Sequence, residues 1–361
     1  MFGPFSAGDS LRIYRLQRRG VSLDLRRDLT QPWSPLREAW LAFLTQQAMG
    51  QPTYVLTDMH QGDAFVQLRY RPHQAAADVI YLAPVPGNST NAAKAWACLL
   101  DGAGIEAAGR GIQRMFANLP PPGMEADLFQ QSGFMFYAQE DVYRLAAPAG
   151  LGHDHDATGR HDLRAQRAED WPALQKLFVT ITPQRIRQAE GGIGLSIGGE
   201  NCLRYILPST NGEEALAALS LHSSRTAHWL RLVVHPGAHD VATTLVHWAL
   251  QALASHPPRP VYCNVRQYEG GVRAALEAEG FDLYTTRTLA VKHTLAWSKT
   301  PVPELLPGLK SSAEAVPPAY HINGESDAPA STGRLAATRD PATDHINQNR
   351  FQQVVRGTDA R

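Results

Sequence analysis

Two histidines bracket one apolar run: His228 opens it, Trp229 to Val234 fills it, and His235 closes it. Imidazole titrates near neutral pH, so either side chain can take a proton from an ammonium group. Further on, Tyr268-Glu269 precedes a helical segment, offering a phenol as acid and a carboxylate as base. The ordinary roles of such residues compete with these: a half-exposed histidine, an aromatic with a buried ring, a helix-capping carboxylate. After His235 the chain makes a Pro236-Gly237 turn, and Asp240 stands where it would cap a helix from Val241. A strand that ends at a helix N-terminus presents free N–H groups and the positive end of a dipole, a cradle for phosphate. The residues of this cradle are Val233, Val234, His239, Asp240, Val241, Ala242, Thr243 and Thr244. His153, Asp154, His155, Asp156 and His161 have metal-ligand chemistry, but they sit in a segment of linker composition without closed geometry, so no metal site is expected.

The elements that must position these groups follow from hydrophobic period. Val241, Leu245, Trp248, Ala249 and Ala252 recur on one helical face, so the turn joins a strand to a helix packed back onto a sheet. The same unit occurs earlier: Asp78–Pro84 is an apolar strand, Pro86-Gly87-Asn88-Ser89 a turn, and about 91–104 a helix. Strands are expected at 21–29, 53–57, 64–70, 113–117 and 135–145, with helices at 33–44 and 123–132. Past a Pro, Gly and His-rich stretch the order repeats: strand 163–167, helices 170–180 and 184–190, a glycine-rich loop at 191–199 that is either a lid or a plain connection, a hairpin of 202–207 with 215–222, then the bracketed strand, its helix, strand 261–265, helix 271–279 and strands to about 297. Pro84 lies 49 residues before Gly133 and Pro236 lies 44 before Gly280, so two copies of one domain are the economical reading. The expected divisions are a solvated arm at 1–20, a domain at 21–147, a linker at 148–160, a second domain at 161–298 and a disordered tail at 299–361, whose Pro, Ser, Ala and Asp content cannot offset ordering entropy.

Composition sets the broad class. The 361 residues carry 34 Lys plus Arg against 34 Asp plus Glu, so no global field attracts nucleic acid or an anionic membrane. Three scattered cysteines, Cys98, Cys202 and Cys263, each in an apolar context, suit buried thiols in a reducing cytosol. With no signal-like segment and no long uninterrupted apolar stretch, a cytoplasmic location is expected.

The repeated order of strand, helices, three antiparallel strands, phosphate-type turn, helix, strand, helix, Gly-Phe and strand resembles the GNAT (N-acetyltransferase) superfamily. The local marks are Val234-His235-Pro236, the helix at 245–253, and the two helix ends 128–134 and 275–281, which close in Gly133-Phe134 and Gly280-Phe281. The resemblance implies an α+β fold of two tandem GNAT-like domains, each a mixed, mostly antiparallel sheet with helices on both faces. It implies acetyl-CoA as cosubstrate, held in the second domain, and acyl transfer to a small-molecule or peptide amine by direct attack on the thioester, the protein supplying position and a base. A homodimer is compatible with it. The chain departs from the family at the turn, whose Arg or Gln, Gly and Gly or Ala positions fall on His239, Ala242 and Thr244, and at Gly87, Thr90 and Ala92 in the first copy. The family's frequent Tyr acid falls on Phe129 and Leu276. An inactive tandem protein used for binding or dimerisation is therefore the alternative.

Overall fold

The computed structural model describes residues 1–57, 62–72, 74–87, 90–146, 163–191, 202–209, 212 and 214–294. The loop at 192–201, the histidine-rich segment and the tail after 294 lie outside the described residues. In the first copy the elements are β1 (Phe2–Pro4), α1 (Ser10–Leu16), β2 (Val21–Ser22), α2 (Leu25–Thr30), α3 (Pro35–Leu44), β3 (Thr53–Leu56), β4 (Ala64–Tyr70), β5 (Ala76–Ala83), α4 (Thr90–Gly109), β6 (Arg114–Leu119), α5 (Met124–Gln131) and β7 (Met135–Leu145). The second has β8 (Arg164–Ala165), α6 (Trp171–Ile181), α7 (Gln184–Glu190), β9 (Cys202–Pro208), β10 (Ala215–Ser223), β11 (His228–Val234), α8 (Val241–Leu253), β12 (Val261–Arg266), α9 (Gly270–Ala278) and β13 (Asp282–His293).

All of these strands join one mixed sheet with the path β1-β3-β4-β5-β6-β13-β7-β12-β11-β10-β9-β8, and β2 pairs with β5 off that path. The path reads the same from both ends. β1 to β6 correspond in turn to β8 to β12, with β2 as an extra strand of the first copy, and β13 and β7 meet at the centre. The two last strands are exchanged: β13 lies beside β6 of the first copy, and β7 lies beside β12 of the second. Apart from the parallel pairs β5–β6 and β11–β12, the registers are antiparallel.

Strand alternation explains the helices on both faces. Tyr54, Ala64, Val66 and Leu68 point to a core with Trp96, Leu99 and Phe129 of α4 and α5, while Val55 and Phe65 point to one with Ile13 and Ala39 of α1 and α3. In the second copy Leu230, Leu232 and Val234 face α8 and α9, and Val233 faces Leu174 and Leu177 of α6.

The first twenty residues are not a solvated arm. Phe2–Pro4 pairs with β3, and Phe5 and Ile13 are buried, so the first copy begins at its first residues. The symmetry extends to the turns: the Asp9 carboxylate accepts the Ser6 amide at 3.0 Å, as Asp170 accepts the Arg167 amide at 2.7 Å, each just ahead of a helix. The expected strand at 21–29 is likewise corrected. Only Val21 and Ser22 pair, after which the Asp24 side chain accepts the Arg27 amide and starts α2.

Both parallel pairs hold briefly and then diverge. β5 and β6 pair from Ala76/Arg114 to Val79/Ala117, after which a bulge bends β5 away. β11 and β12 pair only over His228/Val261 to Leu230/Cys263. The wedge of the first copy is filled by main chain: Val21 and Ser22 pair with Leu82 and Tyr81, the Leu23 amide donates to the Ile80 carbonyl, and the Val85 amide donates to the Arg19 carbonyl. Gly20 allows this approach, since a Cβ there would lie 2.3 Å from Tyr81 Cε1 and 2.6 Å from the Leu82 carbonyl oxygen. Gly20→Ala is therefore expected to destabilise the protein by about 1–3 kcal/mol, the cost of overpacking a close contact. Urea unfolding measures it, and wild-type stability in the variant would show that the segment does not sit in the wedge.

Candidate functional site

The second wedge is bridged by side chains. Arg231 leaves β11 on the face away from α8, and its Nη1 donates to the Leu232 carbonyl at 3.2 Å, to the Asn264 carbonyl of β12 at 3.1 Å and to Glu269 Oε2 at 2.6 Å. Nη2 donates to Glu269 Oε1, making the pair bidentate. Burial alone would lower the Arg231 pKa, and the Glu269 charge more than reverses it. The Cys263 thiol lies beside the Leu232 backbone, its pKa pushed up to about 12 by burial, so it is an inert core group.

The turn beyond β11 is closed by its own atoms. The Gly237 amide donates to His235 Nδ1 at 3.0 Å, the Ala238 amide to the His235 carbonyl at 2.9 Å, and the Ala242 amide to the His239 carbonyl at 3.1 Å. A Cβ at Gly271 would lie 2.1 Å from His239 Nδ1, so this imidazole rests against the start of α9. Of the cradle residues, Val233, Val234, Val241 and Ala242 are buried, His239, Asp240 and Thr243 are exposed, and Thr244 is half-buried. Asp240 does not cap α8 through its side chain; it has helical backbone angles and continues out of the short 3-10 turn Pro236–Ala238.

The four candidate catalytic side chains are not brought together. His228 and His235 stand at opposite ends of β11, about 20 Å apart along an extended strand. His228 is buried against His256, with ring centroids 5.8 Å apart, and is tied to the Pro257 backbone. His235 serves its own turn. Tyr268 is half-buried and bonded to Thr182, its pKa raised mainly by burial. Glu269, expected as a base, is committed to Arg231 and to the Arg266 amide at 2.9 Å. Phe129 and Leu276 are fully buried in apolar cores. The histidine-rich segment lies outside the described residues, and no group of three or more metal-ligating side chains occurs among those described. No described helix is long and apolar enough to cross a membrane.

A cavity of ≈ 170 Å³ opens at the mouth of the second wedge, on the Arg231 side. Both copies line it: Asp24 and Arg26 from the β2–α2 segment, Glu140 from β7, Arg231 from β11, and Asn264 and Arg266 from β12. Glu140 Oε2 accepts from Asn264 Nδ2 at 2.9 Å and pairs with Arg266 Nε at 3.0 Å. Arg266 Nη2 pairs with Glu190 at 3.1 Å. Arg287, the register partner of Glu140, donates to Asn118 Oδ1 at 3.0 Å and to the Asn118 carbonyl at 2.6 Å. Asp24, Arg26, Glu140 and Arg266 are absent from the residues picked out by sequence. The one available signal is a charge at mid-strand among alternating apolar residues, as at Glu140.

In strand order, parallel wedges, turn-helix units and helices on both faces, the two copies share one α+β architecture with exchanged last strands, the arrangement that the GNAT resemblance implies. No protein-family model and no curated protein matches the sequence. Among solved structures the chain is similar to a GCN5-related N-acetyltransferase from Sphaerobacter thermophilus (12% identity, 81% of this chain and 95% of that one covered, TM-score 0.46). It is also similar to a tandem GNAT protein from the clavulanic acid biosynthesis pathway (14% identity, 82% and 98% covered, TM-score 0.47). A third is an acetyltransferase of the GNAT family from Colwellia psychrerythraea (10% identity, 81% and 99% covered, TM-score 0.40).

Two stability outcomes follow from these contacts. Glu269→Gln leaves the Arg231 charge buried and is expected to cost roughly 3 kcal/mol in urea unfolding, whereas Arg231→Met with Glu269→Leu recovers most of it; equal losses in the single and double variants would contradict a sealed pair. His228 has its pKa lowered first by desolvation and further by His256, Arg259 and His222. A histidine depressed in the folded state contributes stability that is present above its unfolded value, about 6.5, and is lost as the pH falls below it. His228→Leu is expected to flatten the acid side of the stability–pH curve; an unchanged slope would assign that slope to other groups.

Proposed function

We propose that the chain is an acyl-CoA-dependent N-acyltransferase, with acetyl-CoA as cosubstrate held in the second copy and a small-molecule or peptide amine as acceptor. The observation that carries this reading is the difference between the wedges. Main chain from Arg19 to Leu23 fills the first, while among the described residues side chains alone bridge the second. A hydrogen-bonded backbone segment leaves a strand only by local unfolding, whereas side chains leave by rotation. The diverging edges Arg231–Val234 and Asn264–Arg266 would hold the pantetheine arm, and the His239–Thr244 turn the pyrophosphate once His239 swings off Gly271. When bound, acetyl-CoA supplies an acyl group activated as a thioester. The chain's own role is to orient the amine in the central cavity and to take the ammonium proton on Glu140.

The second reading, a catalytically inactive tandem protein used for binding or dimerisation, is favoured by the buried Phe129 and Leu276 at the acid positions and by the turn amides already donated within the turn. Calorimetric titration of the full chain with acetyl-CoA, followed by thiol release against a panel of primary amines, separates the two. Micromolar binding and thiol release, both lost in Thr243→Glu at the exposed start of α8, are expected. No heat at high micromolar acetyl-CoA establishes the inactive reading.

A further inference from the structure

We propose that the central cavity binds a small primary amine that also carries a carboxylate, the carboxylate against Arg26 and Arg266 and the ammonium against Glu140. Most charges around the cavity are committed elsewhere. Asp24 holds Arg69 and the Arg27 amide, Arg231 holds Glu269, and Arg287 holds Asn118. Three groups are left over. The Arg26 guanidinium makes no hydrogen bond or ion pair among the described residues, and burial lowers its pKa. Arg266 Nη1 is buried with no acceptor among the described residues, although Nε and Nη2 of the same guanidinium are both paired. Glu140 Oε1 takes no donor among the described residues, because Asn264 Nδ2 and Arg266 Nε both converge on Oε2.

Among the described residues the Arg26 guanidinium is free to hold the two oxygens of a carboxylate, for which the planar fork is suited, and the Arg266 charge stands on the same cavity wall. The uncommitted carboxylate oxygen beside them matches an ammonium. A phosphate or a simple carboxylate would satisfy the arginines but face the Glu140 charge at close range. The volume, ≈ 170 Å³, limits the ligand to a small molecule or to the end of a larger one. Binding rests on the cavity alone; the further role of this ligand as acyl acceptor rests on the acyltransferase reading.

The test is calorimetry on the full chain without acetyl-CoA, titrating glycine, L-alanine and β-alanine, with propionate, alaninamide and inorganic phosphate as comparisons. At least one of the three amino acids is expected to bind, and propionate and alaninamide at least about tenfold more weakly, the scale of one lost charge-assisted contact. Arg26→Gln, which breaks no ion pair among the described residues, is expected to weaken binding by about tenfold at an unchanged melting temperature, with Arg26→Lys intermediate. Absence of heat with all three amino acids, binding of propionate or phosphate as tight as theirs, or undiminished binding in Arg26→Gln each overturns the proposal. If an amino acid binds and acetyl-CoA does not, the cavity stands and the acyltransferase reading falls; the reverse result removes the cavity proposal and leaves that reading intact.

Discussion

The pairing of β7 with β13 sets Glu140 directly opposite Arg287 in the middle of a sheet covered on both faces. Central strands of such sheets are ordinarily apolar, because a desolvated charge must find compensation nearby. Here the compensation reaches outward through named contacts. Glu140 draws in Arg266 and Asn264 of β12, Arg266 draws in Glu190 of α7, and Arg287 draws in Asn118 of β6. A charge placed by exchanged strands thus fastens the two copies together and leaves a polar hollow where an apolar core would otherwise be.

That hollow is asymmetric although the fold is nearly symmetric, and the reason is one insertion. The first copy carries β2 and α2 in addition to the elements shared with the second, and this short segment has two effects. It fills the first wedge with backbone, and it brings Asp24 and Arg26 to the wall of the cavity. Among the described residues the second wedge has no equivalent segment and meets the same cavity through Arg231. One copy thus supplies a wall of the cavity beside the other's wedge.

The duplication is legible in the sequence because it rests on local signals: strand-length apolar runs, Pro-Gly turns, helical periodicity and the two Gly-Phe closures. Met135–Leu145 and Gln184–Glu190 come out with the same bounds in sequence and structure. What is not legible depends on partners. Exchanging β7 and β13 changes no residue's alternation, so no local pattern announces it. The first twenty residues look like a solvated arm until β3 supplies the edge that Phe2–Pro4 needs. Glu269 reads as a base because its type and its place before a helix fit; only the fold shows that Arg231 reaches it from another strand. The uncommitted groups of the cavity come from three separate elements, α2, β7 and β12, and no spacing in one dimension relates them.

The contrast between the wedges also orders the energetics of occupancy. To admit a ligand arm, the first wedge must give up the Val21–Ser22 pairing and the Leu23 and Arg19 hydrogen bonds, each costing about 1–3 kcal/mol if left buried and unmade. Summed, that approaches the whole free energy of a micromolar complex, about 8 kcal/mol. Among the described residues the second wedge gives up only side-chain contacts, the Arg231 bonds to Glu269 and to the Asn264 carbonyl, while Arg231 keeps the Leu232 carbonyl of its own strand and Glu269 keeps the Arg266 amide. A charge that keeps some of its hydrogen bonding as it turns meets a smaller desolvation penalty than one stripped bare. Among the described residues, two wedges of the same backbone origin therefore differ in what must be unmade to open them, paired main chain in the first and side-chain contacts in the second.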